Sequence, residues 1–258
     1  MVRGLNIFKK YFEAYPDNYV IIGGTACDII IDDAGFTPRA TKDIDIILVV
    51  EALSSDFVKQ FWQFVFDGNY ERKEKSEDKR KYYRFMKPEK SDFPYQIELF
   101  SRNPDLLDLD EGIHLTPIPT DDDLSSLSAI LLNDDFYHYM LEHSVMDNGL
   151  HLANIEALIC LKAKAYLEIA ERIAKGSKED KKQLRKHKGD VFRLAVMLTG
   201  NDVFELPESI KTQMQSFANE IAGDLPDKAI FKSMGLRNIS AETVFNQILK
   251  SFQLAKND

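Results

Sequence analysis

The stretch Tyr19 to Val50, YVIIGGTACDIIIDDAGFTPRATKDIDIILVV, restricts the fold more than any other part of this chain. An apolar run ends in Gly23-Gly24-Thr25, a helical pattern follows to Ile31, and a loop with Arg39 and Thr41 leads into Asp43-Ile44-Asp45 and a second apolar run. The pattern spells strand, glycine turn, helix, loop and strand. Side chains alternate along a strand, so Asp43 and Asp45 share one face while Ile44 and Ile46 take the other. Two carboxylates about 6 to 7 Å apart on one face can bridge cations spaced roughly 3.5 to 4 Å. Oxygen ligands of this kind suit Mg2+, which also binds substrate phosphates. The glycines let backbone N–H groups approach a phosphate, and the helix after them offers its positive end. Each signal has an ordinary alternative: two solvated aspartates, or a tight turn that needs only a positive φ. No Gly-Lys-Ser/Thr follows, so this is not a P-loop.

The remaining pattern supplies the partners. Leu5, Phe8, Phe12 and Tyr15 recur at helical spacing before Pro16-Asp17-Asn18, and Phe57, Phe61, Phe64 and Val65 do so up to Gly68, with Ser54-Ser55-Asp56 as capping candidates. The charged run Glu71 to Lys81 reads as a solvated hairpin or loop before a strand, Tyr82 to Met86. In Tyr95 to Phe100, Ile97 and Leu99 face one way and Gln96, Glu98 and Phe100 the other, which makes Glu98 the natural third ligand beside Asp43 and Asp45. Residues 103 to 123 read as loops with a short strand at 113–115. The aspartates 121–123 are capping residues before they are a cation site. An apolar run at 127–132, a short helix from Asp134 to Glu142 and a turn over Met146 to Gly149 follow.

Beyond Leu150 every periodic segment is helical: Ala153 to Ala174 with Asn154 as N-cap, 178–199, 207–221 and 241–254. The expected organisation is therefore an α+β domain over residues 1–148, a mixed β-sheet flanked by helices, followed by an all-helical domain over 149–258. A formal net charge of -9 argues against a protein that coats nucleic acid through phosphate neutralisation. A local basic groove is still allowed, and the basic residues between Lys178 and Lys188 read first as a solvated helix face. The two cysteines, Cys27 and Cys160, sit in apolar helical patterns and read as buried free thiols. No span of about 18 apolar residues exists and the N-terminus is too polar for a signal peptide, so a cytoplasmic protein with no membrane partner is expected. The five histidines lack metal spacing such as H-E-x-x-H.

In combination, Gly23-Gly24, Asp43-x-Asp45 and Glu98 resemble the core motif of the nucleotidyltransferase superfamily of the DNA polymerase beta type. More closely, GGTACDIIIDDAGFTPRATKDIDI, with its Gly-Gly-Thr, its Arg39-x-Thr41 and its Asp-Ile-Asp, resembles the AbiEii family of abortive-infection toxins. The resemblance extends to LICLKAKAYLEIAER, with Lys162 and Lys164, and to KHKGDVFRLAVML, with Lys188 and Asp190. It implies a polymerase-beta-like domain followed by a helical domain, in which Asp43, Asp45 and Glu98 bind Mg2+, two ions in number. Gly23, Gly24, Thr25, Arg39, Thr41, Lys164 and Lys188 would then hold the NTP, while Lys162 reaches its phosphates and Asp190 completes the site. Lys162 and Lys164 lie about 200° apart on a helix, so one of them points at the site. The apolar flank of Lys162 favours it, whereas Lys164 can pair with Glu168 at i+4. A second aspartate that many relatives carry three residues after Asp190 is replaced here by Arg193, which can contact a phosphate or pair with Asp190. The implied activity is transfer of a nucleoside monophosphate to a hydroxyl of an RNA end such as that of a tRNA, of a protein or of a small molecule. An antitoxin is the implied regulatory partner. The competing expectation is a catalytically silent nucleotide-binding or regulatory module.

Overall fold

The computed structural model describes residues 2–71, 82–100, 133–176 and 181–255. The expected elements at 113–115 and 127–132, the aspartates 121–123, residues 72–81 of the charged run and the first residues of the 178–199 helix lie outside them.

The described residues form an α+β fold around a mixed six-stranded sheet. Its strands are β1 (Tyr19–Ile22), β2 (Asp43–Leu48), β3 (Tyr82–Met86), β4 (Gln96–Phe100), β5 (Ser144–Asp147) and β6 (Leu150–Ala153), in the order β3-β4-β2-β1-β6-β5. β2 runs antiparallel to β1 and parallel to β4, and β6 runs parallel to β1. The hairpin of β5 and β6 was not visible in the sequence pattern. Its turn at Asn148 and Gly149, with φ of 48° and 73°, falls where a turn is expected, but its strands are short and partly polar. As a result the sheet continues past residue 148, and one apolar cluster runs from Val2 through the sheet to the helices at the C-terminal end.

The two faces of the sheet have different chemistry for a simple reason of register. Tyr19 pairs with Leu48 and Ile21 with Ile46, so these residues and Ile44 share one face. That face lies under α1 (Leu5–Phe12) and α3 (Ser55–Gly68), where Phe8 packs edge-on to Tyr19 and Phe64, and Phe12 touches Phe57, Phe61 and Phe64. Burying rings of this size supplies much of the core stability, at about 25 cal/mol per Å² of apolar surface. Ser54 caps α3 by accepting the Phe57 N–H, as its position predicts. The opposite face carries Asp43, Asp45, Gln96, Glu98 and Arg84, and it looks toward α2 (Gly23–Asp33) and the helices that follow the sheet.

The remaining helices are α4 (Asp134–Glu142), which precedes β5, and, after the sheet, α5 (Ile155–Ala174), α6 (Lys181–Ala195), α7 (Glu208–Ile221), the short α8 (Ala229–Ser233), for which the sequence held no clear periodicity, and α9 (Ala241–Ser251). α5 is the hub of this half, packing on α2, α4, α6 and α7. Among the described residues no helix is long and apolar enough to cross a membrane.

Candidate active site

The site is assembled where β1 gives way to α2. The helix begins at Gly23 itself, whose φ is 69°, and a Cβ there would lie 1.8 Å from Asp45 Oδ2. Only glycine avoids both penalties. A Cβ on Gly24 would stand 2.7 Å from Thr41 Oγ1, so the loop before β2 closes directly onto the start of the helix. The Gly24 backbone N–H favours the charged form of the Asp45 carboxylate. Thus the positive end of α2 meets a carboxylate of the protein itself.

On the sheet, Asp45 pairs in register with Glu98 across β2 and β4, and Glu98 in register with Arg84 across β4 and β3. All three residues therefore share a face with Asp43. Glu98 is buried and one of its oxygens, Oε1, takes Arg84 Nη2 at 2.6 Å, Arg84 Nε at 2.8 Å and Gln96 Nε2 at 2.6 Å. Burial, then the charges of Asp45 and Asp43, push the Glu98 carboxyl up to about 8 despite Arg84. Burial likewise raises Asp45, with Asp43 adding to the effect, while Lys162, Lys186 and the Gly24 N–H oppose it. Asp43 is raised by burial against the pull of Lys186, Arg84, Lys42 and Arg39.

A second cluster faces these carboxylates from the helices. Asp190 on α6 lies 3.6 Å from Lys162 Nζ on α5, 3.5 Å from Arg39 Nε in the loop before β2, and 3.3 Å from Arg193 Nη1 one turn along its own helix. Arg193 thus pairs with Asp190, one of the two roles open to it from sequence. Burial alone would lower the pKa of Lys162, but Asp190, Cys27 and Asp45 together raise it, so the ammonium stays charged. The buried thiol of Cys27 is pushed up to about 12.

Nine of the twelve residues expected from sequence meet here: Gly23, Gly24, Arg39, Thr41, Asp43, Asp45, Glu98, Lys162 and Asp190. Three do different work. The Thr25 hydroxyl is buried and donates to the Asp43 backbone oxygen, fixing the strand rather than a ligand. Lys164 turns away to Gln213 Oε1 at 3.2 Å and Glu168 Oε1 at 3.6 Å. Lys188 donates to the backbone oxygen of Asp224 at 2.5 Å and to its carboxylate at 2.7 Å, on the side of α6 away from Asp190. Sequence reasoning had not singled out Arg84, Gln96, Asp28 or Lys186. Asp28 accepts the Thr41 N–H at 2.5 Å and so holds the loop. Lys186 stands four residues before Asp190, a spacing that places both on one helix face and was readable in advance.

Around the sheet carboxylates and Asp190, four acidic groups, stand six cations: Arg39, Lys42, Arg84, Lys162, Lys186 and Arg193. In a chain of net charge -9 this is a locally positive cleft. Thr41 Oγ1 is buried with no hydrogen-bond partner among the described residues, which suits a site completed by a ligand, while Asp190 Oδ2 faces the Lys162 ammonium. Among the described residues no three His, Cys, Asp or Glu side chains converge as a ready metal site. The donors nonetheless fit a hard divalent ion: they are all oxygen, and their raised pKa values mark crowded negative charge that a cation relieves. No protein-family profile matches the chain, and neither does any curated protein.

Proposed function

We propose that this protein is a metal-dependent nucleotidyltransferase, moving a nucleoside monophosphate from an NTP to an acceptor hydroxyl. The observation that carries the reading is the in-register placement of Asp45 and Glu98 on adjacent parallel strands, with Asp43 on the same face, beside a helix that starts at Gly23. A polymerase-beta-like core with the helices from Ile155 onward as a helical domain accounts for that arrangement. The resemblance to the AbiEii family points the same way.

Asp43, Asp45 and Glu98 would hold Mg2+, two ions in this reading, whose chemistry is to acidify the acceptor hydroxyl and to neutralise the triphosphate and the leaving pyrophosphate. The chain's own residues do the rest. Gly23 and Gly24 carry no side chain, so α2 starts directly against Asp45 and Thr41 and brings its positive end to the carboxylates that would hold the metal and its phosphates. Arg39 and Lys162, fixed through Asp190, place positive charge over the sheet carboxylates. Arg84 and Gln96 orient Glu98. The surplus of cations over carboxylates favours a polyphosphate over a neutral substrate. The acceptor classes consistent with the reading are an RNA end such as that of a tRNA, a protein hydroxyl and a small molecule, with an antitoxin as regulatory partner.

One observation favours a second reading, a catalytically silent nucleotide-binding module: Arg84 and Gln96 both claim Glu98 Oε1. Incubation of the protein with α-labelled NTPs, Mg2+ and cell extract separates the two. The proposed activity labels a macromolecule or small acceptor and disappears in Asp45→Ala. Nucleotide binding without any transfer supports the silent module, and transfer that survives in Asp45→Ala removes the site assignment.

A further inference from the structure

The cations of the cleft differ in what already holds them. Lys162, Arg39 and Arg193 all lean on Asp190, and Arg84 is tied to Glu98. Lys188 is committed to Asp224, and Lys164 to Gln213 and Glu168. Lys186 is different. It stands one turn before Asp190 on the inward face of α6, yet among the described residues it makes no hydrogen bond and has no carboxylate within ion-pair distance. Its charged surroundings are Lys162 and Arg39, which repel it, and Asp190 and Asp45, which attract it. It is also the foremost cation acting on Asp43. Its charge therefore bears on both the Asp190 cluster, one turn along the same helix, and the sheet carboxylates.

This difference decides which lysine an incoming phosphate can use. A phosphate that recruited Lys162 would draw it from Asp190, a carboxylate only 4% exposed, and leave that charge uncovered. A phosphate that binds Lys186 breaks no ion pair and relieves the repulsion it feels from Lys162 and Arg39. We propose that Lys186 is the residue that contacts the substrate's polyphosphate, and that Lys162, the lysine indicated by sequence resemblance, acts instead as a positioning residue that fixes Asp190 and Arg39. The proposal rests on the nucleotidyltransferase reading for its substrate, but its anion site can be tested without turnover. The ligand class is a linear polyphosphate, free or as the tail of an NTP.

The test is calorimetric titration of the full-length protein with inorganic tripolyphosphate. The proteins compared are wild type, Lys186→Met, Lys186→Arg and Lys181→Met, the last removing one exposed charge from the same helix. The expected result is a loss of about tenfold or more in affinity for Lys186→Met, partial retention for Lys186→Arg, and less than about twofold change for Lys181→Met. Melting temperatures should stay close to wild type, because Lys186 has no ion pair to lose. Equal affinity in Lys186→Met, an equal loss in Lys181→Met, or no binding to wild type each overturns the proposal. With labelled NTP the same variant should raise KM more than it lowers kcat. Lys186-dependent tripolyphosphate binding without nucleotide transfer would sink the proposed function and keep the anion site. Transfer with an unchanged KM in Lys186→Met would do the reverse.

Discussion

Replacing Asp190 by Asn tests the electrostatic core of the cleft without any assumption about substrate. Asp190 is 4% exposed and Lys162 3% exposed, at 3.6 Å, with Arg39 and Arg193 on the other carboxylate oxygen. Removing one partner of a buried pair costs about 3–5 kcal/mol, because the remaining charge is left desolvated. The low end applies here, about 3 kcal/mol, since Arg39 is 32% exposed and can turn to solvent. Asp45 also remains near Lys162 as a partial counter-charge. Adding Lys162→Met removes the stranded ammonium while keeping much of its volume. The double variant should then be more stable than Asp190→Asn plus Lys162→Met taken separately, by a coupling of about 1–3 kcal/mol. It should stay below wild type, because Arg39 and Arg193 have still lost their partner. Urea unfolding at neutral pH of the four proteins of the cycle provides the measurement. If the two single effects add to within about 0.5 kcal/mol, Lys162 and Asp190 are not a coupled pair and the description of the cleft is wrong.

Three further outcomes follow from the same geometry. Gly23→Ala must place a Cβ 1.8 Å from Asp45 Oδ2 at a positive φ, so it should cost about 2–4 kcal/mol, lower the melting temperature by roughly 5–15 °C and abolish nucleotide transfer; an unchanged melt would refute the close approach. Asp45→Asn removes a carboxylate whose charge is disfavoured by burial, so it should leave the melt equal to or above wild type while eliminating transfer. A fall of more than a few degrees would contradict the crowding of charge. His187, buried beside Lys162, Lys186, Arg39 and Arg172, has a pKa held well below 6.5, first by burial and then by those cations. Its unfolded form takes up a proton below about pH 6.5 and its folded form does not, so stability is lost as pH falls through that value, by up to about 1.4 kcal/mol per pH unit. His187→Phe should remove that component, which shows as a wild-type minus variant difference that shrinks from pH 7.5 to pH 5.5. A difference independent of pH would mean that the imidazole protonates in the folded protein.

Those residues also show what kind of information a sequence carries. Asp43, Asp45 and Glu98 were legible because strand alternation is local: a period of two assigns each side chain to a face without knowledge of neighbours. That Asp45 lies beside Glu98 depends on β2 pairing with β4 across more than fifty residues, and a one-residue slip would have put Glu98 on the aromatic face. The hairpin of β5 and β6 carried a readable turn in Asn148-Gly149, but its four-residue strands are too short and mixed to show a period, and the parallel pairing of β6 with β1 is a long-range event.

The lysines mark where local reasoning was available and where resemblance displaced it. Helical spacing separates Lys162 from Lys164, because two residues turn a helix by about 200°; in the structure Lys162 lies against Asp190 and Lys164 against Gln213 and Glu168. Applied to α6, the same rule puts Lys188 on the far side from Asp190 and Lys186 on the same side. The structure has this arrangement: Lys188 is bound to Asp224, whereas Lys186 feels the charges of Asp190 and Asp45. The motif position of Lys188, two residues before Asp190 with Gly189 between them, had stood in for that geometry. Adjacency in sequence is a poor guide on a helix, since neighbours i and i+2 never share a face. Any residue assigned to this cleft from α5 or α6 must therefore fall three, four or seven positions from Lys162 or Asp190. By that criterion Arg193 qualifies and contacts Asp190, and Lys186 qualifies while keeping its charge uncommitted.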